Sequence, residues 1–99
     1  MPKVCRKDDP LTTGHGCVGT TKLDTPGQST VRVNSILVAR ETDKTVSHAF
    51  PPAPPCLPHT AKVNVGSSTV RVAGLPIARV GDSADQGNMT DGSDNVFAG

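Results

Sequence analysis

The chain has no tryptophan and no tyrosine, and its only two phenylalanines are Phe50 and Phe97. Hydrophobic residues make up 34% of its 99 residues, against roughly 45–50% in an ordinary domain when glycine is counted in. One domain is expected at this length. A core this poor calls for help from a metal, a cross-link or a partner. No apolar run approaches the roughly 18 residues of a membrane-crossing helix. The beginning of the chain lacks the basic-then-apolar pattern of a conventional secretory signal, so none is expected. Charge of one sign is also missing: the net charge is +1, which excludes a nucleic-acid or membrane-surface role driven by electrostatics. Long helix-forming windows are absent, because ten glycines and nine prolines interrupt nearly all of them. Cysteine is scarce and odd in number, at three. That predicts free thiols or a metal thiolate rather than a disulfide framework.

What the chain does have is a repeat. Residues 29–40 read STVRVNSILVAR and residues 68–79 read STVRVAGLPIAR, identical at seven of twelve positions. Asp43 and Asp82 extend the match. A third copy is split between the ends of the sequence. Gly27, Gly66 and Gly92 each open a Gly-x-[Ser/Asp]-[Thr/Asn]-Val segment that ends at Val31, Val70 and Val96. The missing second half of the third copy lies at Pro2–Asp9, where Val4, Cys5, Arg6 and Asp9 align with Ile77, Ala78, Arg79 and Asp82. A repeated supersecondary unit implies a repeated geometry. Thr30–Val33 and Thr69–Val72 alternate apolar and polar residues at period two, and turn-prone pairs, Asn34-Ser35 and Ala73-Gly74, precede the return arms. The expected fold is therefore all-β: three short β-hairpins in a closed ring, with residues near the N-terminus completing the hairpin begun near the C-terminus. The segment from Glu41 to about Ala61 reads as irregular. Its proline run, Pro51-Pro52-Ala53-Pro54-Pro55, reads as a stiff scaffold for ligands rather than a linker.

Only three histidines occur, His15, His48 and His59, and Cys56 stands in C-x-x-H spacing with His59. His15 follows Asp9 by six residues and His48 follows Asp43 by five, so the two occupy near-equivalent loops that a ring would bring to one end. With Cys56 and His59 they form a nitrogen and sulfur donor set suited to tetrahedral zinc; iron is the other metal considered. Cys17, two residues after His15, is the rival ligand. Cys5, aligned with alanine, reads as a small packed residue, with a Cys5–Cys17 disulfide as the alternative. No nucleophile framework surrounds these groups, and no enzyme is expected. Asp43 and Asp82 recur as turn residues. Arg6, Arg40 and Arg79 read as their ion-pair partners at the hairpin bases.

Leu75-Pro76-Ile77-Ala78-Arg79-Val80-Gly81-Asp82 resembles the Pro-Ala-Ala-Arg-x-Gly-Asp signature of PAAR-repeat proteins. Thr13-Gly14-His15-Gly16 and Gly92-Ser93-Asp94-Asn95-Val96 are similar to two further segments of that family, and together they span nearly the whole chain. Ile77 stands where alanine is usual and Cys17 where glycine is usual, and the insert over 41–61 is richer in proline. The resemblance implies a pseudo-three-fold β cone with a metal near its apex, bound by three histidines and a cysteine, here His15, His48, His59 and Cys56. It further implies a tip that caps the trimeric β-helical, membrane-puncturing spike of a contractile phage tail or a type VI secretion system, one copy per trimer. The protein would then belong to a virion, or be made in the cytoplasm and secreted by that system. The expected contact residues are Val31, Val33, Val70, Val72 and Val96. A zinc-binding adaptor that attaches an effector non-covalently is the second reading.

Overall fold

A computed structural model describes residues 1–51 and 55–99. The centre of the proline run, residues 52–54, lies outside the described residues. Ten strands of two or three residues form five antiparallel pairs, and the described residues contain no helix. They are β1 (Pro10–Thr12), β2 (Thr20–Lys22), β3 (Arg32–Val33), β4 (Ile36–Leu37), β5 (His48–Phe50), β6 (Leu57–His59), β7 (Arg71–Val72), β8 (Leu75–Pro76), β9 (Ser83–Ala84) and β10 (Gly87–Asn88).

The pairs stack in two tiers. The lower tier holds the hairpins read from the repeat, β3–β4 and β7–β8. Both central residues of each turn have positive φ: 55° and 66° at Asn34 and Ser35, 49° and 88° at Ala73 and Gly74. This is the type I′ geometry whose twist matches that of a two-residue hairpin. The third member is the seam. Lys3 pairs with Phe97, Val4 N–H donates to the Val96 carbonyl at 3.0 Å, and Ala98 N–H donates to the Pro2 carbonyl at 3.0 Å.

Closure is visible at single atoms. Cys5 N–H donates to the Ala78 carbonyl (2.9 Å), Ala78 N–H to Ala39 (3.0 Å), and Ala39 N–H to Cys5 (3.1 Å). Three aligned residues thus form a cyclic hydrogen-bonded triangle around a pseudo-three-fold axis. All three are fully buried, so only small side chains fit. Around them, Arg6 bridges Val38, Arg40 bridges Ile77 and Arg79 bridges Val4.

Each arginine leads into the same turn. Asp9, Asp43 and Asp82 accept the backbone N–H of the arginine three residues earlier, at 2.7, 2.7 and 2.8 Å. The expected ion pairs form as forks at Arg6–Asp9 and Arg79–Asp82, and the hydrogen-bonded carboxylates raise both guanidinium pKa values. Arg40 departs from this pattern. Its Nε is buried without a hydrogen bond, 3.5 Å from Asp43 Oδ2, because its Nη1 reaches the Ala73 carbonyl instead.

The upper tier was not legible as strands. It consists of β1–β2, β5–β6 and β9–β10, joined by equivalent bridges Leu11–Met89, Leu23–Thr45 and Val63–Ala84. The segment 41–61, expected to be irregular, therefore supplies a hairpin, with Pro58 inside β6 opposite Ala49. Proline is tolerated there because a strand with one neighbour has an edge where no N–H is required. One apolar cluster (Leu11, Leu23, Val63 and Met89, with the triangle residues) fills the upper tier. A second (Val4, Val38, Val72, Ile77 and Ala98) fills the lower one. The molecule is elongated, 40 × 24 × 21 Å.

Candidate metal centre

The three upper hairpins converge on one spot. His15 comes from the loop between β1 and β2. His48 and His59 face each other across the β5–β6 ladder. The β9–β10 turn contributes Asp85. Interlocked backbones hold these loops: a Cβ on Gly14 (φ +71°) would collide with the Gln86 carbonyl, and one on Gly87 would collide with Thr12.

Asp85 Oδ2 lies 2.8 Å from His15 Nε2, 2.8 Å from His48 Nε2 and 3.3 Å from His59 Nε2. His48 Nε2 lies 3.3 Å from His15 Nε2 and 3.0 Å from His59 Nε2. A tetrahedral ion with bonds of about 2.0–2.1 Å sets neighbouring donors roughly 3.3 Å apart, so this spacing suits a small divalent metal. Proton placement makes the same demand. His15 Nδ1 lies 2.9 Å from the Gly16 carbonyl, and His48 Nδ1 lies 2.9 Å from the Val46 carbonyl. A carbonyl can only accept, so each Nδ1 carries a proton, and a neutral ring then presents its Nε2 lone pair. Those lone pairs aim at one another and at a carboxylate. The side chains of His15, Asp85 and His48 are only 3%, 3% and 4% exposed, so water cannot dilute the repulsion. A shared cation removes it.

Burial works to raise the Asp85 pKa. In the metal-free site an Nε2 that carries a proton donates it to Asp85 instead, and such hydrogen bonds from His48, His15 and His59 outweigh burial and hold the carboxyl below its usual range. Phe50 covers the cluster, stacked on His59 with ring centroids 4.5 Å apart and edge-on to His15 at 4.9 Å.

The structure brings together three of the four expected ligands. Cys56 is not among the converging atoms: its sulfur is bonded to Cys17, across a Cα–Cα distance of 6.4 Å. The structure departs from the expectations here: it places Cys56, expected as the fourth ligand, outside the converging atoms, and it joins two cysteines that were expected without a disulfide. It also replaces the Cys5–Cys17 alternative, because the loop after His15 lies against the start of β6 while Cys5 sits alone and buried in the triangle. The fourth converging donor atom belongs to Asp85. Its signal was present but ambiguous. It lies in the loop after Asp82, as His15 and His48 lie in the loops after Asp9 and Asp43, but only three residues on rather than six or five, and an aspartate in a short turn ordinarily reads as a turn former.

At the opposite end of the molecule, Val31 is 38% exposed and Val33, Val70 and Val96 are half-buried. Val72, expected on the contact surface, is buried in the lower core because its side chain points inward from β7.

A comparison with curated proteins finds no match. A protein-family model described as the PAAR motif matches residues 15–89. That span runs from the first histidine of the cluster through Asp85 to the end of the upper tier. The family is associated with the spike tips of contractile injection systems and is a structural rather than an enzymatic one. With its converging hairpins, its ring of Arg-x-x-Asp turns and this match over three quarters of its length, the chain belongs to the PAAR-motif family.

Proposed function

We propose that this protein is the metal-stiffened tip that caps the three-fold end of a trimeric β-helical spike, one copy per trimer, and sharpens it for membrane puncture. The observation that carries the reading is the closed triangle of Cys5, Ala39 and Ala78. It makes one chain pseudo-three-fold, the symmetry a monomer needs to meet a homotrimer with three similar contacts. The face suited to that contact is the lower tier, where Val31 and Phe97 are exposed and Val33, Val70 and Val96 are half-covered. Three hairpins there would cover the open strand edges at the end of a β-helix. The hairpins at the other end, locked by zinc or another divalent ion at His15, His48 and His59, would form a rigid point.

Native mass spectrometry of the protein mixed with a β-helical spike trimer from the same source tests the stoichiometry. One tip per three spike chains is expected. Three tips per trimer, or no complex with any such spike, would overturn the cap and favour an adaptor that carries an effector.

A further inference from the structure

The ligand set implied by the family resemblance and the one in the structure differ by a single residue, and the difference is chemical. A thiolate is a soft, strongly electron-donating ligand that an oxidant can remove; a carboxylate is hard and inert to oxidants. In this chain the candidate thiolate is already spent. Cys56 is bonded to Cys17, two residues beyond His15, so the cross-link ties the His15 loop to the hairpin that carries His48 and His59. Cys5 remains a free thiol, but it sits in the hydrogen-bonded triangle between the two cores, away from the converging atoms. The carboxylate of Asp85 is in place, its side chain only 3% exposed and within 3.3 Å of all three Nε2 atoms.

We propose that the metal centre is a three-histidine, one-carboxylate site closed by Asp85, from which the Cys17–Cys56 disulfide withholds sulfur. This rests on the reading that the histidine cluster holds a metal. Two properties follow. The site prefers borderline divalent ions such as zinc, cobalt(II) and iron(II) over thiophilic ones. It also keeps its metal under oxidising conditions that strip zinc–thiolate centres. The disulfide is a clamp rather than a ligand, shortening the excursions of two ligand-bearing loops that only the main chain otherwise joins.

Cobalt(II) titration of the metal-free, disulfide-intact protein reads the donor set directly. One equivalent is expected, with tetrahedral visible bands and no thiolate-to-cobalt charge transfer in the near ultraviolet. Thiol titration of the same sample after denaturation should find only Cys5. Asp85→Asn should weaken cobalt binding by more than about 100-fold, beyond the roughly 10–100-fold cost of losing an outer-shell partner. The double variant Cys17→Ser/Cys56→Ser should still take up one equivalent, with affinity within about tenfold of the parent and an unchanged spectrum. Circular dichroism of both variants excludes unfolding as the cause of any loss. A thiolate band in the untreated protein, three titratable thiols, or loss of metal from a folded double-serine variant would overturn the proposal in favour of Cys56. Failure of every form to bind metal would instead overturn the underlying metal reading.

Discussion

Cys5 shows how one position can serve packing and repel charge at once. It occupies the place of Ala39 and Ala78 in the triangle, fully buried. Burial, and after it the negative charges of Asp9 and Asp82, push its thiol pKa far above the ordinary range. The folded protein therefore retains this proton at a pH where the unfolded chain, with an ordinary thiol near 8.5, has lost it. The native state then holds the extra proton, so stability falls as pH rises above that value, by up to about 1.4 kcal/mol per unit. Denaturant melts of Cys5→Ala and the parent between neutral and alkaline pH should diverge in this way, with the variant the less pH-sensitive. At neutral pH the variant should lose little, since alanine is what the other two copies carry. Enlarging the same site is the contrasting case: Ala78→Leu should cost at least about 1–3 kcal/mol by overpacking, read from the denaturant midpoint.

At the scale of elements, the lower hairpins are anchored by one device in two chemical forms, an amide oxygen once and a serine hydroxyl twice. Gln28 Oε1 accepts Val31 N–H at 2.8 Å, Ser67 Oγ accepts Val70 N–H at 2.9 Å, and Ser93 Oγ accepts Val96 N–H at 3.0 Å. Ser67→Ala strands the amides of Thr69 and Val70 and should cost about 1–3 kcal/mol. Exposed Ser68→Ala should stay within about 0.5 kcal/mol; thermal melts of the pair give the comparison. The arginine turns, more than these anchors, made the lower tier legible. Each Arg-x-x-Asp turn is fixed by a carboxylate on the arginine's own backbone N–H, so each copy keeps those residues. The anchor instead sits at the variable second position of Gly-x-[Ser/Asp]-[Thr/Asn]-Val, where any side-chain oxygen that reaches will serve. The upper tier is held by interlocking main chains, its strands share no residue pattern from one pair to the next, and its prolines mimic breakers. The site divides along the same line. Histidines are so few that all three stood out, whereas Asp85 looked like a turn residue. The Cys17–Cys56 link joins two loops whose meeting only the assembled tier reveals.

For the whole molecule, the proposed metal centre belongs to the upper tier and the proposed partner face to the lower one, which predicts separable losses. Chelating the metal should lower the melting temperature sharply, because structural zinc supplies on the order of 10 kcal/mol in small domains; an unchanged melt in verified metal-free protein would refute that role. Val31→Asp with Val70→Asp should abolish spike binding in pull-down or native mass spectrometry while leaving metal content near one equivalent, provided circular dichroism shows a folded variant. The seam carries one more consequence. Residues 3 and 97 pair as neighbours do across Asn34-Ser35 or Ala73-Gly74, and a Cβ on Gly99 would lie 3.6 Å from Met1 Sδ. Over residues 1–99 the path closes on itself, and residues 1 and 99 meet where the other two copies carry a turn. The opening is therefore transferable. A circular permutant that bridges the seam with an Asn-Gly turn and opens between Ala73 and Gly74 should fold to the same cone and bind the same metal. Its melting temperature should lie within about 4–8 °C of the parent, the equivalent of about 1 kcal/mol in a domain of this size.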